Sequence, residues 1–260
     1  MSFVLIDAHN HLQDPRFDGR REQIISEMKA NGIHRCVVNG TSEEDWQAVK
    51  QLTEAHPNFI SPAFGLHPWK IAQRSSEWLA KLRTALEESP HASLGECGLD
   101  RWMRDPHFDA QKRAFQAQLD LALELSRPVT IHCLKAWGPL MEILRTMPEL
   151  PPFLLHSFNG SAEIARELTE MGAFFSFSGY FLHDRKKPQF EIFTKLPPDR
   201  LLIETDAPDM LPPEHLTKHS LGTLNHPANL AEISKELLER TQLTQKQILS
   251  NTETFFNFAE

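Results

Sequence analysis

Cysteine is scarce: Cys36, Cys97 and Cys133 are the only three among 260 residues, and they are widely spaced. This excludes a disulfide framework and fits a protein kept reduced in the cytoplasm. No stretch approaches the roughly 18 consecutive apolar residues that a membrane-spanning helix needs. The opening run Met1-Ser2-Phe3-Val4-Leu5-Ile6 lacks a basic flank and meets Asp7 too early for a secretory leader, so none is expected. Repeats and low-complexity tracts are missing, which excludes collagen-like chains, and an apolar content of 40% excludes disorder. No Gly/Ser-rich linker or charge break divides the chain, so residues 1–260 are expected to form one domain. Positive charge is in the minority. Twenty-seven Lys and Arg against 35 Asp and Glu leave a net charge of −8, which argues against broad adhesion to nucleic acid but permits a local basic patch. Histidine is abundant, with 13 copies.

Short apolar runs alternate with amphipathic stretches along the chain. Strands are expected over residues 3–8, 35–39, 58–64, 92–96, 128–132, 152–156, 173–177 and 200–205. Helices are expected over 20–31, from a Ser42 cap to 55, and over 76–88, 108–125, 137–145, 161–172, 190–195, 228–239 and 245–258. Eight βα units with continuously apolar strands point to a parallel sheet covered by helices, and the size suits a (β/α)₈ TIM-type barrel. Periodicity alone leaves an open doubly wound sheet as the alternative. The Pro-rich stretch 208–227 reads as a long loop after the eighth strand, a kind of segment that is often functional.

The residues at the strand ends carry the chemistry. The first strand runs into Asp7-Ala8-His9-Asn10-His11, the fourth ends in Glu96, the fifth in His132, the sixth in His156, and the eighth in Glu204-Thr205-Asp206. In a barrel these ends meet at one mouth. His9 and His11 are two apart, so on an extended strand both face the same side. Four imidazoles and two carboxylates form a coherent ligand set for divalent cations. Six ligands exceed what one tetrahedral ion with an open position takes, whereas two ions sharing a carboxylate fit the number.

These motifs resemble those of the TatD-type metal-dependent hydrolases, a branch of the amidohydrolase superfamily. The resemblance rests on Asp7-Ala8-His9-Asn10-His11-Leu12, Gly65-Leu66-His67-Pro68, Gly95-Glu96-Cys97-Gly98-Leu99-Asp100, the run from His156 to Ser161, and Glu204-Thr205-Asp206-Ala207-Pro208, in that order. Asn225-His226-Pro227-Ala228-Asn229-Leu230 and Asn251-Thr252 match more loosely, and the whole covers about residues 4–258. It implies a (β/α)₈ barrel and a two-metal site: His9, His11 and Asp206 on one ion, His132 and His156 on the other, and Glu96 between them. The ions would be Zn, Mn or Mg. It also implies hydrolysis of phosphodiesters, most often in DNA. Two departures stand out. The family commonly has Arg two residues after the strand-five His, where this chain has Leu134 followed by Lys135, and the family's usual Glu after Asn225 is His226 here.

The expected mechanism follows from the ions. They lower the pKa of a shared water and offset charge on the phosphoryl group, and Asp206 acts as general base. Substrate contacts are expected from His67, which either donates to a phosphate or braces its turn, and from the basic run Arg185-Lys186-Lys187. Trp102, flanked by Arg101 and Arg104, either clamps a base or packs. Cys97 and Cys133, next to Glu96 and His132, are expected to pack on the opposite face, between barrel and helices. Lys135 lies beyond its strand, and with Glu96 already bridging it is not read as a carbamylated ligand. The expected partner is DNA or an oligonucleotide, with no membrane and no obligate protein partner. The rival readings are an ester or amide hydrolase, such as one that removes a mis-attached aminoacyl group from tRNA, and a non-catalytic metal-binding interaction protein.

Overall fold

The computed structural model describes residues 4–258, so Phe3, the expected start of the first strand, lies outside the described residues. Eight strands, β1 (Leu5–Asn10), β2 (Ile33–Asn39), β3 (Ile60–Phe64), β4 (Ser93–Asp100), β5 (Val129–Leu134), β6 (Phe153–Leu155), β7 (Phe174–Ser178) and β8 (Leu201–Glu204), pair in chain order, each parallel to the next. The ring is nearly closed by residues just beyond β8. Asp206 N–H donates to the His9 carbonyl at 2.9 Å, and His11 N–H donates to the Ala207 carbonyl at 2.8 Å. Asp7 adds a side-chain link, its Oδ1 accepting from Thr205 N–H at 2.9 Å and its Oδ2 from the Thr205 hydroxyl at 2.6 Å. The architecture is therefore the (β/α)₈ barrel and not the open sheet.

The helices are α1 (Arg21–Ala30), α2 (Trp46–Ala55), α3 (Trp78–Glu88), α4 (Phe108–Glu124), α5 (Trp137–Thr146), α6 (Ala162–Glu170), α7 (Lys187–Phe193), α8 (Leu230–Arg240) and α9 (Gln245–Phe256). Their apolar faces cover the barrel: Ile24, Met28, Leu82, Phe115, Leu119, Leu140, Leu168 and Leu237 share one buried core with Leu99, Ile131, Phe175 and Ile203 of the strands. Burying such side chains fully contributes about 1.5–3 kcal/mol each. Cys97 and Cys133 lie in this core as expected, and all three thiols are buried. No helix among the described residues is long and apolar enough to cross a membrane.

Local signals mostly act as read. Ser161 caps α6 by accepting from Ile164 N–H, and Thr244 and Gln247 form a reciprocal capping box on α9. α9 stops at Phe256 because Asn257 takes a left-handed φ of 50°. The second helix departs from the Ser42 reading. It begins only at Trp46, because the Asp45 carboxylate turns back to accept from the Thr41 and Ser42 N–H groups and holds residues 41–45 as a turn.

The fourth strand departs most. It runs on through Glu96 to Asp100, four residues beyond the expected end. Gly98 pairs directly with His132 at φ 144°, and a Cβ there would lie 1.9 Å from the His132 carbonyl oxygen. A side chain is excluded, and the two backbones approach closely instead. Glu96, Gly98 and Asp100 alternate along one face of this longer strand, which puts a second carboxylate near the mouth.

Candidate metal centre

The six expected ligand residues meet at the C-terminal mouth of the barrel. β1 supplies His9, with His11 just past its end, β4 supplies Glu96 and β5 supplies His132. His156 and Asp206 lie one and two residues beyond β6 and β8. Asp206 has a φ of 54°, a left-handed conformation that Asp tolerates better than most residues. Its Oδ1 comes within 3.5 Å of Nε2 of both His9 and His11.

Glu96 divides the cluster in two. Its Oε2 lies 3.3 Å from Nε2 of His9 and 3.3 Å from Nε2 of His11, and those two nitrogens are 3.2 Å apart. Its Oε1 lies 2.8 Å from His156 Nε2 and 3.0 Å from His132 Nδ1, which are 3.1 Å apart. Donors placed 2.0–2.1 Å from a tetrahedral ion stand about 3.3–3.4 Å from one another. The first set has that spacing, and the second is slightly tighter.

For His11 and His132 the partner of the second ring nitrogen shows what faces inward. His11 Nδ1 lies 2.8 Å from the Asn39 carbonyl, which only accepts, so Nδ1 carries the hydrogen and Nε2 turns a lone pair to the centre. His132 Nε2 donates to Asp100 Oδ2 at 2.9 Å, leaving the lone pair of Nδ1 inward. His156 Nδ1 stands 3.6 Å from Glu204 Oε1, beyond hydrogen-bond distance, and like His9 Nδ1 it is buried without a hydrogen-bond partner. Glu204 is itself held by the Ser157 N–H at 2.8 Å and the Ser157 hydroxyl at 2.6 Å. Lone pairs and carboxylate oxygens thus converge where they would repel one another without a cation. The donor set fits divalent metal, with the outer partners orienting the ligands.

The electrostatics of the cation-free centre agree. Burial resists charge on His11 and His156, but Asp206 and Glu96 around the first, and Glu96 and Glu204 around the second, raise both well above the ordinary imidazole range. His132 is raised likewise by Asp100 and Glu96 against burial, whereas burial keeps His9 low. Burial alone would raise Glu96, yet His156, His67 and His9 hold it well below the usual carboxylate range. Protons neutralise the cluster when no cation does, so cation binding must displace them. Asp7, beneath the centre, is pushed up to about 7 by burial, its hydrogen bonds opposing.

The other predicted residues surround this cluster unevenly. His67 is buried at its edge: Nδ1 accepts from Trp69 N–H at 3.1 Å and Nε2 lies 3.2 Å from Glu96 Oε1. Trp102 is exposed beside Trp69. Arg185 and Lys186 lie over the ring of Tyr180, 5.2 and 5.1 Å from its centroid, on the loop after β7, and Lys187 opens α7. The Arg101 guanidinium packs on Phe108 at 3.9 Å. Asp100, which accepts from His132 Nε2–H, is the neighbour that a strand ending at Glu96 leaves out.

The model of the family described as TatD related DNase matches residues 6–257. The chain belongs to the TatD family. Among curated relatives, this TatD-family chain is 32% identical over 252 residues to the uncharacterized metal-dependent hydrolase YabD of Bacillus subtilis, covering 96% of each. It is 29% identical over 258 residues to a protein named 3'-5' ssDNA/RNA exonuclease TatD from Pantoea ananatis, covering 97% of this chain and 99% of the relative. The crystal structure of YJJV, a TatD homologue from Escherichia coli, superposes with a TM-score of 0.91 at 30% identity over 100% of both chains.

Where this TatD-family chain carries His226, a second group of metal-ligand residue types forms. His226 Nε2 lies 2.9 Å, and His219 Nδ1 3.5 Å, from Glu27 Oε2. His226 Nδ1 accepts from Ala228 N–H at 3.1 Å, and His219 Nε2 accepts from Asn31 Nδ2 at 3.1 Å. Both rings therefore turn an N–H, and not a lone pair, to the carboxylate. This group is hydrogen-bonded without an ion.

Proposed function

We propose that the protein is a cytoplasmic phosphodiesterase that removes nucleotides from DNA ends using two divalent cations. His9, His11 and Asp206 would hold one ion, His132 and His156 the other, and Glu96 would bridge. The observation that carries this reading is the division of Glu96, each of whose oxygens faces its own pair of imidazole nitrogens, one of each pair, His11 Nε2 and His132 Nδ1, with its lone pair turned inward. Imidazole-rich sets suit zinc better than magnesium. The naming of relatives as 3'-5' exonucleases supports a nucleic-acid substrate entered from its 3' end.

Bound there, the ions would supply Lewis acidity, lowering the pKa of water and offsetting charge on the phosphoryl oxygens. The protein provides the rest. Burial opposes charge on Asp206, but His11, His156 and His9 hold its carboxyl below the usual range, so it is ionised at neutral pH and ready to accept. It takes a proton from the attacking water as the O–P bond forms in line. The P–O bond to the leaving 3' oxygen breaks, and the proton held by Asp206 returns to that oxygen, giving an alcohol and a phosphomonoester. His67 serves Glu96 in this scheme. With Nδ1 engaged by Trp69 N–H, its Nε2–H donates to the bridging carboxylate and fixes its rotamer. Arg185, Lys186 and Lys187 would receive the backbone phosphates of the strand further from its end, a local attraction on an acidic protein.

Metal-free protein, reconstituted in turn with zinc, manganese and magnesium, should degrade 3'-single-stranded DNA labelled at its 5' end to a descending ladder. Asp206→Asn should lose at least about 100-fold of that rate with its fold intact by circular dichroism. A wild-type protein that holds two ions by elemental analysis yet leaves the DNA whole would retain the centre and refute the substrate.

A further inference from the structure

Trp69 and Trp102 are the exposed large hydrophobic side chains among the described residues, 45% and 61% exposed. They stand together, ring centroids 6.2 Å apart and planes 29° from parallel. Two indoles left in water side by side on an otherwise well-covered surface mark a contact surface for something flat and apolar. Their position limits what that is. The Trp69 ring centroid lies 6.5 Å from the His132 ring and 5.3 Å from the His67 ring, so the pair borders the half of the centre around Glu96 Oε1.

Asp100 fixes this pair to the centre. Its Oδ2 accepts from Trp69 Nε1–H at 2.8 Å and from His132 Nε2–H at 2.9 Å, and its Oδ1 accepts from Trp102 N–H at 2.6 Å. One buried carboxylate thus positions both aromatic residues and a candidate metal ligand. An occupant that uses both features has an anion at one end and an aromatic ring within reach at the other, and a nucleotide has that form.

We propose that Trp102, backed by Trp69, is the stacking platform for the base of the terminal nucleotide, a proposal that rests on the phosphodiesterase reading above. The base lies on the free face of Trp102 and not between the two rings. Stacked aromatic planes are about 3.4 Å apart, so a sandwich needs roughly 7 Å between parallel rings, and the observed pair is closer and tilted. Every base has a π-face, so the platform selects an unpaired end without selecting its sequence. A terminal base still paired keeps one face covered by its neighbour and its edge by its partner, and must be freed first.

Calorimetric titration of the zinc-loaded protein with dAMP and with 2-deoxyribose 5-phosphate tests this. The wild type should bind dAMP about ten-fold more tightly than the sugar phosphate. Trp102→Ala should abolish that difference and leave the sugar phosphate affinity unchanged. Equal affinities in the wild type, or a variant that weakens both ligands alike, would overturn the platform. A second arm compares kcat/KM on oligonucleotides with an intact or an abasic 3'-terminal nucleotide. Trp102→Ala should lose about ten-fold on the intact end and nothing on the abasic one, and equal losses on both would count against the proposal. A wild type that cleaves neither oligonucleotide yet prefers dAMP would refute the phosphodiesterase reading and leave the platform standing.

Discussion

Glu96 and Glu27 are both carboxylates gripped by imidazoles within 3.5 Å, but His11 and His132 present to Glu96 the opposite atom from the one that His226 and His219 present to Glu27. Around Glu96, His11 and His132 have their outer nitrogens committed to acceptors, the Asn39 carbonyl and Asp100, and so aim lone pairs inward. Around Glu27, His226 and His219 have theirs committed to donors, the Ala228 N–H and Asn31 Nδ2, and so aim N–H groups inward. Residue type and proximity are the same in the two places. The atom on the far side of each ring decides whether a cation or a proton joins the group.

Removing each carboxylate should break this comparison most visibly. Glu96→Gln replaces the shared anion with an amide, and on the two-ion reading the ion content should fall from two per chain to one or fewer, with turnover down at least about 1000-fold. Glu27→Gln should leave ion content unchanged and kcat/KM within about two-fold. Elemental analysis and a nuclease assay on both variants decide it. An ion lost from Glu27→Gln would show that the tautomer argument is wrong.

A smaller effect should come from the outer partner itself. Asp100 has three donors on its two oxygens, and Asp100→Asn leaves a single acceptor for them. His132 is then free to turn, and affinity at the His132–His156 half should fall by about 10–100-fold while the His9–His11 half is spared. Competitive chelator titration resolves the two halves, and identical binding curves for wild type and variant would remove Asp100 from the ligand-orienting role.

The sequence shows the candidate ligand residues better than it shows their neighbours, for a physical reason. In a parallel barrel every strand delivers its last residues to the same mouth, so His9, His11, Glu96, His132, His156 and Asp206 can be gathered without knowing any contact. Asp100 is hidden because the strand is expected to end at Glu96, and only the approach of the β5 backbone reveals why it runs on through a glycine at 98. His67 and His226 do carry a readable signal. Each precedes a proline that opens a short 3₁₀ turn, which marks it as the capping residue whose Nδ1 accepts from the turn's own backbone. A histidine so engaged presents N–H from Nε2, and His-Pro at a turn therefore argues for a hydrogen-bond donor over a metal ligand.

The gentlest test is the response of the two clusters to acid in metal-free protein. In the centre, the raised imidazoles of His11 and His156 and the lowered carboxylate of Glu96 keep their attraction across mildly acidic pH. At the other cluster, burial pushes His226 down to about 4, with Glu27 opposing only in part. An unfolded imidazole titrates near pH 6.5. Between that value and about 4 the unfolded chain binds a proton that folded His226 refuses, so stability from this group is full above pH 6.5 and is lost as pH falls toward 4. From pH 7 to pH 5 the loss should be about 1–2 kcal/mol after allowance for solvent around the partly exposed Glu27. His226→Gln accepts from Ala228 N–H and donates to Glu27 without titrating, so its denaturation midpoint should fall less over the same interval. Equal pH slopes for wild type and variant would mean that His226 is readily protonated in the fold, and the contrast between the two clusters would then fail.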